Sequence, residues 1–361
     1  MNRPRVLATS VGFVVAAGVL LACTLTQSLD YLQKGAGPVD AATETSSGEA
    51  GNEAGTRVPT VLVPNQTKPG FLAQDGTALY WIAGGMVWSV PKSGGTAKAL
   101  GAVPPSSTLL VAEPDPAGAL FVLDGSVVHR LPKDGSGGSI VFTGNAGEPP
   151  ADTIAASASS LYVLQYDPTL AIEGSRILRM AKDGGGATDI APDSGPTTLN
   201  RDARSVFWLG SDPGKPAIVE QLETAAPGTT TAIYALSAND DLPTLSTDIV
   251  VDDASLYWIT SDPTSAAAEI VARKREASGS VVAIHRGAPD DAFANVAVDA
   301  THVYFIETRT SSLLRVPKSG GDVDRLVVGL KAPSGLVVDA MSVYLSVEAT
   351  GSTGQILVVT K

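Results

Sequence analysis

Residues 295–328 read NVAVDATHVYFIETRTSSLLRVPKSGGDVDRLVV. Four runs within them, 295–299, 303–307, 312–318 and 322–328, are rich in β-branched and aromatic residues and are separated by turn-forming residues. Such runs pack well on a pleated surface and predict four successive strands, termed a, b, c and d. The aromatic core of the second run recurs through the chain: LYW at 79, LFV at 120, LYV at 161, VFW at 206, LYW at 256, VYF at 303 and VYL at 343. The intervals are 41, 41, 45, 50, 47 and 40 residues. A repeat of this length, four strands to a unit, is the signature of a propeller blade. The expected fold is therefore all-β: a seven-bladed β-propeller of four-stranded blades.

The last unit has strands at 335–339, 342–347 and 354–360 but no fourth. The run VPTVLV at 58–63 precedes the first strand a and has no place in blade 1. It is expected to complete the final blade, pairing the two ends of the domain and removing an open sheet edge.

Two turns repeat with the blades. An aspartate stands five residues before the aromatic in Asp75/Tyr80, Asp202/Phe207, Asp252/Tyr257, Asp299/Tyr304 and Asp339/Tyr344. Asp115 is one residue further from Phe121, and Ser157 replaces the acid before Tyr162. Aspartate at the start of a tight turn accepts backbone N–H groups two residues on, so these residues read as turn caps rather than a ring of ligands. The c-to-d hairpins carry Pro91-Lys92-Ser93-Gly94-Gly95, Pro132-Lys133-Asp134-Gly135, Ala181-Lys182-Asp183-Gly184-Gly185 and Pro317-Lys318-Ser319-Gly320-Gly321. Glycine supplies the positive φ of such hairpins. The lysines read as solvated charges that discourage strand addition at an edge.

The strings LYWI at 79–82 and 256–259, with RVPKSGG at 315–321, resemble the bacterial relatives of YWTD-type propeller repeats over residues 70–361. No blade has Thr-Asp after the Tyr-Trp pair, so the resemblance implies architecture and carries no partner specificity.

Before the repeats, residues 1–22 combine a basic start with an apolar run ending at Cys23, the layout of an export signal. The run is short for a spanning helix. Leu20-Leu21-Ala22-Cys23 resembles the lipobox of bacterial lipoprotein precursors, with Leu21 a looser fit than the usual small residue. The resemblance implies a diacylglyceryl thioether on Cys23 and a further acyl chain, such as palmitate, on its amine. Thr24 in place of an aspartate implies an outer-membrane destination. The competing reading is an uncleaved signal anchor with an incidental cysteine. Residues 35–56 are small, polar and acidic, with too little apolar surface to offset the entropy of ordering. The organisation expected is a signal peptide (1–22), a disordered acidic tether (23–56) and the propeller (57–361).

The 361 residues hold 25 Lys and Arg against 37 Asp and Glu, a net charge of −12. No basic cluster lines up to meet a phosphate backbone, which argues against nucleic acid as a partner. With Cys23 the single cysteine, no intramolecular disulfide can form. The three histidines fall on a strand c (His129), a strand d (His285) and an a-to-b turn (His302), none on an innermost strand where a propeller enzyme would gather them. No G-x-S-x-G motif occurs, and the glycine runs open no helix.

One constellation stands out. Asp167-Pro168, Asp212-Pro213 and Asp262-Pro263 lie in long b-to-c connections, and Glu148, Asp193, Asp240, Asp241, Asp290 and Asp291 lie in d-to-a connections. These connections share one face of a propeller. An acidic rim formed by Asp167, Asp212, Asp262, Asp240, Asp241, Asp290 and Asp291 would suit a basic partner or Ca²⁺, a hard cation that takes carboxylate and carbonyl oxygens. Asp-Pro is also a common turn opener, and that plainer reading accounts for the same residues. The function expected is a monomeric, membrane-anchored module that binds a protein, peptide or glycan, with no resident cofactor. The alternative is a metal-dependent hydrolase or lyase on the same scaffold.

Overall fold

The computed structural model describes residues 56–361 apart from 167–174, 192–194, 197, 203–204, 211–216, 223–230, 236–248, 262–266, 276–279 and 349–352. The chain divides into two units, Met1–Ala50 and Gly51–Lys361, of which the first lies outside the described residues. The second unit is all-β, a β-propeller of repeated blades. Its strands form seven four-stranded sheets, each antiparallel throughout. Blade 1 comprises Leu72–Gln74, Ala78–Ala83, Met86–Pro91 and Lys98–Ala102. Blades 2, 3 and 4 occupy 107–143, 151–189 and 200–235. Blade 5 comprises Val250–Val251, Ser255–Ser261, Ala268–Lys274 and Val281–Arg286. Blade 6, the unit quoted first, comprises Phe293–Val298, His302–Glu307, Ser312–Pro317 and Asp324–Val327. Pro333–Val338, Ser342–Glu348 and Thr353–Thr360 form the last sheet with Thr60–Thr67.

The repeat length follows from packing. Each strand b is apolar on both faces because both are covered. In blade 1, Tyr80 packs toward Leu110 and Leu120 of blade 2, while Leu79 and Trp81 pack toward Tyr344 and Ile356 of the last sheet. In blade 6, Val303 and Phe305 turn to blade 5, and Tyr304 and Ile306 turn to the last sheet. Among the described residues the core falls into seven clusters, each bridging two neighbouring sheets, with no single centre. Alternate side chains of one strand thus serve two interfaces, which explains near-continuous hydrophobicity in place of alternation.

The N-terminal strand requires correction. Expected over 58–63, it runs instead over Thr60–Thr67 and pairs antiparallel with Thr353–Thr360, with register shifts between Val61 and Val63 and between Val63 and Gln66. Pro64 looks like a terminator because it has no N–H to donate. On an outermost strand a bulge absorbs that defect, and Asn65 takes the left-handed φ of 56° that the bulge needs. The strands differ in length. The inner strands of blades 4 and 5 and the outer strand of blade 3 have two residues each.

Side chains tie the two ends of the repeat together at the hub. Gln74 Nε2 donates to Val338 O at 2.7 Å, Ser334 Oγ to Pro69 O at 2.8 Å and Ser346 Oγ to Gly70 O at 2.8 Å. No helix among the described residues is long and apolar enough to cross a membrane.

Candidate functional site

The residues expected to cap the a-to-b turns do so, and they also do more. Asp75 Oδ1 accepts Thr77 N (2.7 Å) and Ala78 N (2.9 Å), while Oδ2 accepts Tyr80 Oη (2.7 Å) and Lys133 Nζ (2.7 Å). Lys133 belongs to the c-to-d hairpin of blade 2, so the carboxylate that closes one blade's turn also holds the next blade. The pattern repeats with Lys182–Glu113, Arg275–Asp202, Lys318–Asp252, Lys361–Asp299 and Lys92–Asp339, always from the residue after one blade's strand c to the preceding blade's turn. The cations lie over aromatic rings as well: Lys133 is 5.1 Å from the Tyr80 centroid and Arg275 4.8 Å from Phe207.

These lysines were expected to be solvated edge charges, and that reading is corrected. The side chain of Lys133 is 4% exposed and that of its partner Asp75 is fully covered. Asp115 keeps the capping role expected of it. It caps Ala117 N, but the interblade role in blade 2 falls to Glu113, whose longer side chain reaches Ala119 N at 2.5 Å and Lys182. In blade 3, Ser157 Oγ accepts Ser159 N and Ser160 N, which is the cap. The residue after strand c, basic at every other blade, is in blade 4 Glu223, which lies outside the described residues.

Burial alone would raise the Asp75 and Asp299 carboxyls. The hydrogen bonds from lysine, tyrosine and the turn amides outweigh it and hold both well below the carboxylate range. Asp252 and Asp339 shift the same way. Burial, with the adjacent Asp252 carboxylate, pushes Tyr257 up to about 12.

Of the predicted rim, Asp167, Asp212, Asp262, Asp240 and Asp241 lie outside the described residues, as does Cys23. Asp290 and Asp291 sit in the connection from blade 5 to blade 6. Asp290 is exposed in the left-handed region (φ 70°), a conformation aspartate tolerates. Asp291 Oδ2 accepts Ala288 N at 2.7 Å, and Oδ1 lies 2.7 Å from Arg309 Nη2. Glu148 pairs with Arg176 at 2.6 Å, which lowers its pKa to about 2. The described rim acids other than Asp290 are thus neutralised, and the described residues hold no group of three or more His, Cys, Asp or Glu able to bind a metal ion.

Around Asp291 is a cavity of about 200 Å³ lined by His285, Arg286, Phe293, Glu307 and Arg325. His285 lies against the rings of Phe293 and Phe305, at 5.4 and 5.5 Å, and burial lowers its pKa. A larger cleft of about 550 Å³ opens on the same face, between the N-terminal strand, blade 1 and blade 2. Its walls include Lys68, Phe71, Ile82, Gly84 and Ser107. Phe71 is 49% exposed, and Lys68 adopts φ 45°, a left-handed conformation rare for lysine. The sequence offered no signal for this cleft, because its walls come from separate segments between Thr67 and Thr108.

No protein-family model matches the chain. No curated protein matches it either. Solved structures do. An oligogalacturonate lyase in complex with manganese superposes with a TM-score of 0.58 at 14% identity, covering 86% of this chain and 95% of that one. YCF48 bound to D1 peptide gives 0.57 at 10% identity, covering 85% and 96%. PorZ, a surface component of the type-IX secretion system of Porphyromonas gingivalis, gives 0.54 at 14% identity over 82% of this chain. This chain spans 38% of the length of PorZ. The shared property is the fold. One scaffold carries three unrelated roles in these proteins, so the role of this chain has to be argued from its own residues.

Proposed function

We propose that the chain is an exported lipoprotein of the cell envelope, anchored through Cys23, whose propeller binds a protein, peptide or glycan on the face formed by the b-to-c and d-to-a connections. The observation that carries the binding role is the 550 Å³ cleft. Its walls are mainly apolar, with an exposed aromatic side chain at Phe71 and a few polar groups from Thr67, Lys68, Ser107 and Thr108. That is the composition of a recognition site. Among the residues that line it there is no carboxylate and no histidine, the groups that most often serve as general acid or base. The YWTD-like strings and the leader support the kinship and the anchor, with the outer membrane as destination.

The full chain in detergent micelles, used as bait against envelope extract, should retain a defined component, and Phe71→Ala with Lys68→Glu should release it. Retention that ignores both changes would overturn the assignment of the cleft. Turnover of a glycan or peptide, abolished by a chelator, would replace binding with the metal-dependent hydrolase or lyase reading.

A further inference from the structure

Besides Arg176 and Arg315, which pair at blades 3 and 6, the paired cations of the described residues divide into two groups. Those at the blade junctions are shielded, with side-chain exposures from 4% at Lys133 to 30% at Lys182. Arg286, Arg309 and Arg325 are different: their side chains are 59%, 57% and 45% exposed. All three stand at the cavity between blades 5 and 6. Arg286 and Arg325 line it, and Arg309 is bound to two of its lining carboxylates.

Their partners are the reverse. Glu269, Asp291 and Glu307 have side chains 10%, 9% and 4% exposed. Glu307 is the pivot: its Oε2 lies 3.3 Å from Arg325 Nη2, its Oε1 3.9 Å from Arg309 Nη2, and Thr310 Oγ1 donates to it. Arg309 Nη2 lies closer to Asp291 Oδ1, at 2.7 Å, an ion pair without hydrogen-bond alignment. Arg325 Nη1 reaches Thr310 Oγ1 at 3.4 Å and Ser312 Oγ at 3.5 Å.

A buried carboxylate beneath an exposed guanidinium anchors it by charge, and the exposure of these three side chains leaves part of each planar fork in solvent. A guanidinium fork matches the two oxygens of a carboxylate or phosphate group. Fixing the forks in advance also removes rotamer entropy that binding would otherwise have to overcome.

We infer that the notch between blades 5 and 6 binds an oxyanion group, a carboxylate or phosphate carried by the ligand, through Arg309 and Arg325 with Glu307 and Asp291 as positioning residues. This deepens the binding-face reading and rests on it. An acidic protein thereby presents a local site for an anion on the face where an acidic rim was expected. The cavity, at about 200 Å³, takes one such group.

The test is calorimetric titration of the full chain in detergent at fixed ionic strength, with inorganic phosphate in one arm and succinate in the other. Saturable binding is expected in at least one arm, and the arm that responds identifies the group. Arg309→Gln with Arg325→Gln should weaken it tenfold or more, the scale of losing charge-assisted hydrogen bonds. Absence of heat in both arms overturns the inference, as does unchanged affinity in a double variant that melts like the parent. Should the double variant melt early because Glu307 is stranded, Arg325→Gln alone decides by the same criterion, since Arg309 then still pairs with both carboxylates. Failure here leaves the apolar cleft of blade 1 standing, because its test uses other residues and another probe.

Discussion

Lys133 shows how much one side chain does in this propeller. Its ammonium meets Asp75 Oδ2 at 2.7 Å, Glu113 O at 2.7 Å and Asp115 O at 2.8 Å, and the side chains of both Lys133 and Asp75 are nearly covered. Removing it strands a covered carboxylate, so Lys133→Met should lower the unfolding free energy by about 3 kcal/mol in denaturant titration. Lys92→Met should cost clearly less, because its partner Asp339 is 25% exposed and water can take over. Equal losses would show that the bridges act only as surface charges. The acids of these bridges were legible in the sequence as turn caps, since an Asx turn is local and leaves a fixed spacing. Their second role was not, because Lys133 and Asp75 are 58 residues apart and only the packing of neighbouring blades brings them together. The substitution of Glu113 for Asp115 was hidden for a related reason: reach depends on side-chain length and loop path together.

At the scale of the element, the c-to-d hairpins and the N-terminal strand decide whether the ring holds. Gly184, at φ 95°, packs so closely on blade 2 that a Cβ would come within 2.2 Å of Val141 O. Gly184→Ala should therefore destabilise the protein by more than the roughly 1 kcal/mol of a lost left-handed glycine, read as a lowered Tm. Gly137, also at positive φ (112°) but with open space where its Cβ would lie, should lose only that smaller amount on the same change. Removing residues 56–67 exposes the edge of Thr353–Thr360 and removes Val63 from a core cluster that includes Trp81 and Ile356. The shortened protein should lose its cooperative melting transition, whereas removal of 35–50 should leave the transition where it is. The hairpin glycines were legible because a positive φ selects glycine locally. The extent of the N-terminal strand was not, because the proline within it is tolerated only at an outer edge.

For the molecule as a whole, the belt of ion pairs sets the response to pH. Asp75, Asp252, Asp299 and Asp339 have lowered pKa values in the folded state, so each binds its proton less readily there than in the unfolded chain. Their contribution is complete above the unfolded carboxylate pKa near 4 and is lost as pH falls through the folded values. Stability should thus be level between about pH 7 and 10, ease as pH falls through the unfolded histidine pKa near 6.5 because burial lowers His285 and His302, and decline steeply below about pH 4. Tyr80, Tyr257, Tyr304 and Tyr344 are shifted upward, so their contribution is complete below about pH 10 and disappears at higher pH. Circular-dichroism melts across this range check both limbs, and a flat acid limb would refute the belt. The proposed anchor is tested at the same scale: Cys23→Ala should move the protein from the membrane fraction to the soluble one and abolish acyl labelling. Partitioning that does not change would leave the signal-anchor reading in its place.

The sequence by itself determined the blade repeat, the order of strands within a blade and the capped turns. Each follows from short-range rules: β-propensity, turn chemistry and an interval of 40 to 50 residues. Only the tertiary structure decided where charge is spent. It turned hairpin lysines into interblade bridges, neutralised Asp291 and lifted three guanidiniums around the notch between blades 5 and 6. It also formed the apolar cleft at blade 1 from segments that are strangers in the chain. The reason is that burial and pairing depend on which blade lies alongside, and that neighbour is set by closure of the ring rather than by any local run of residues.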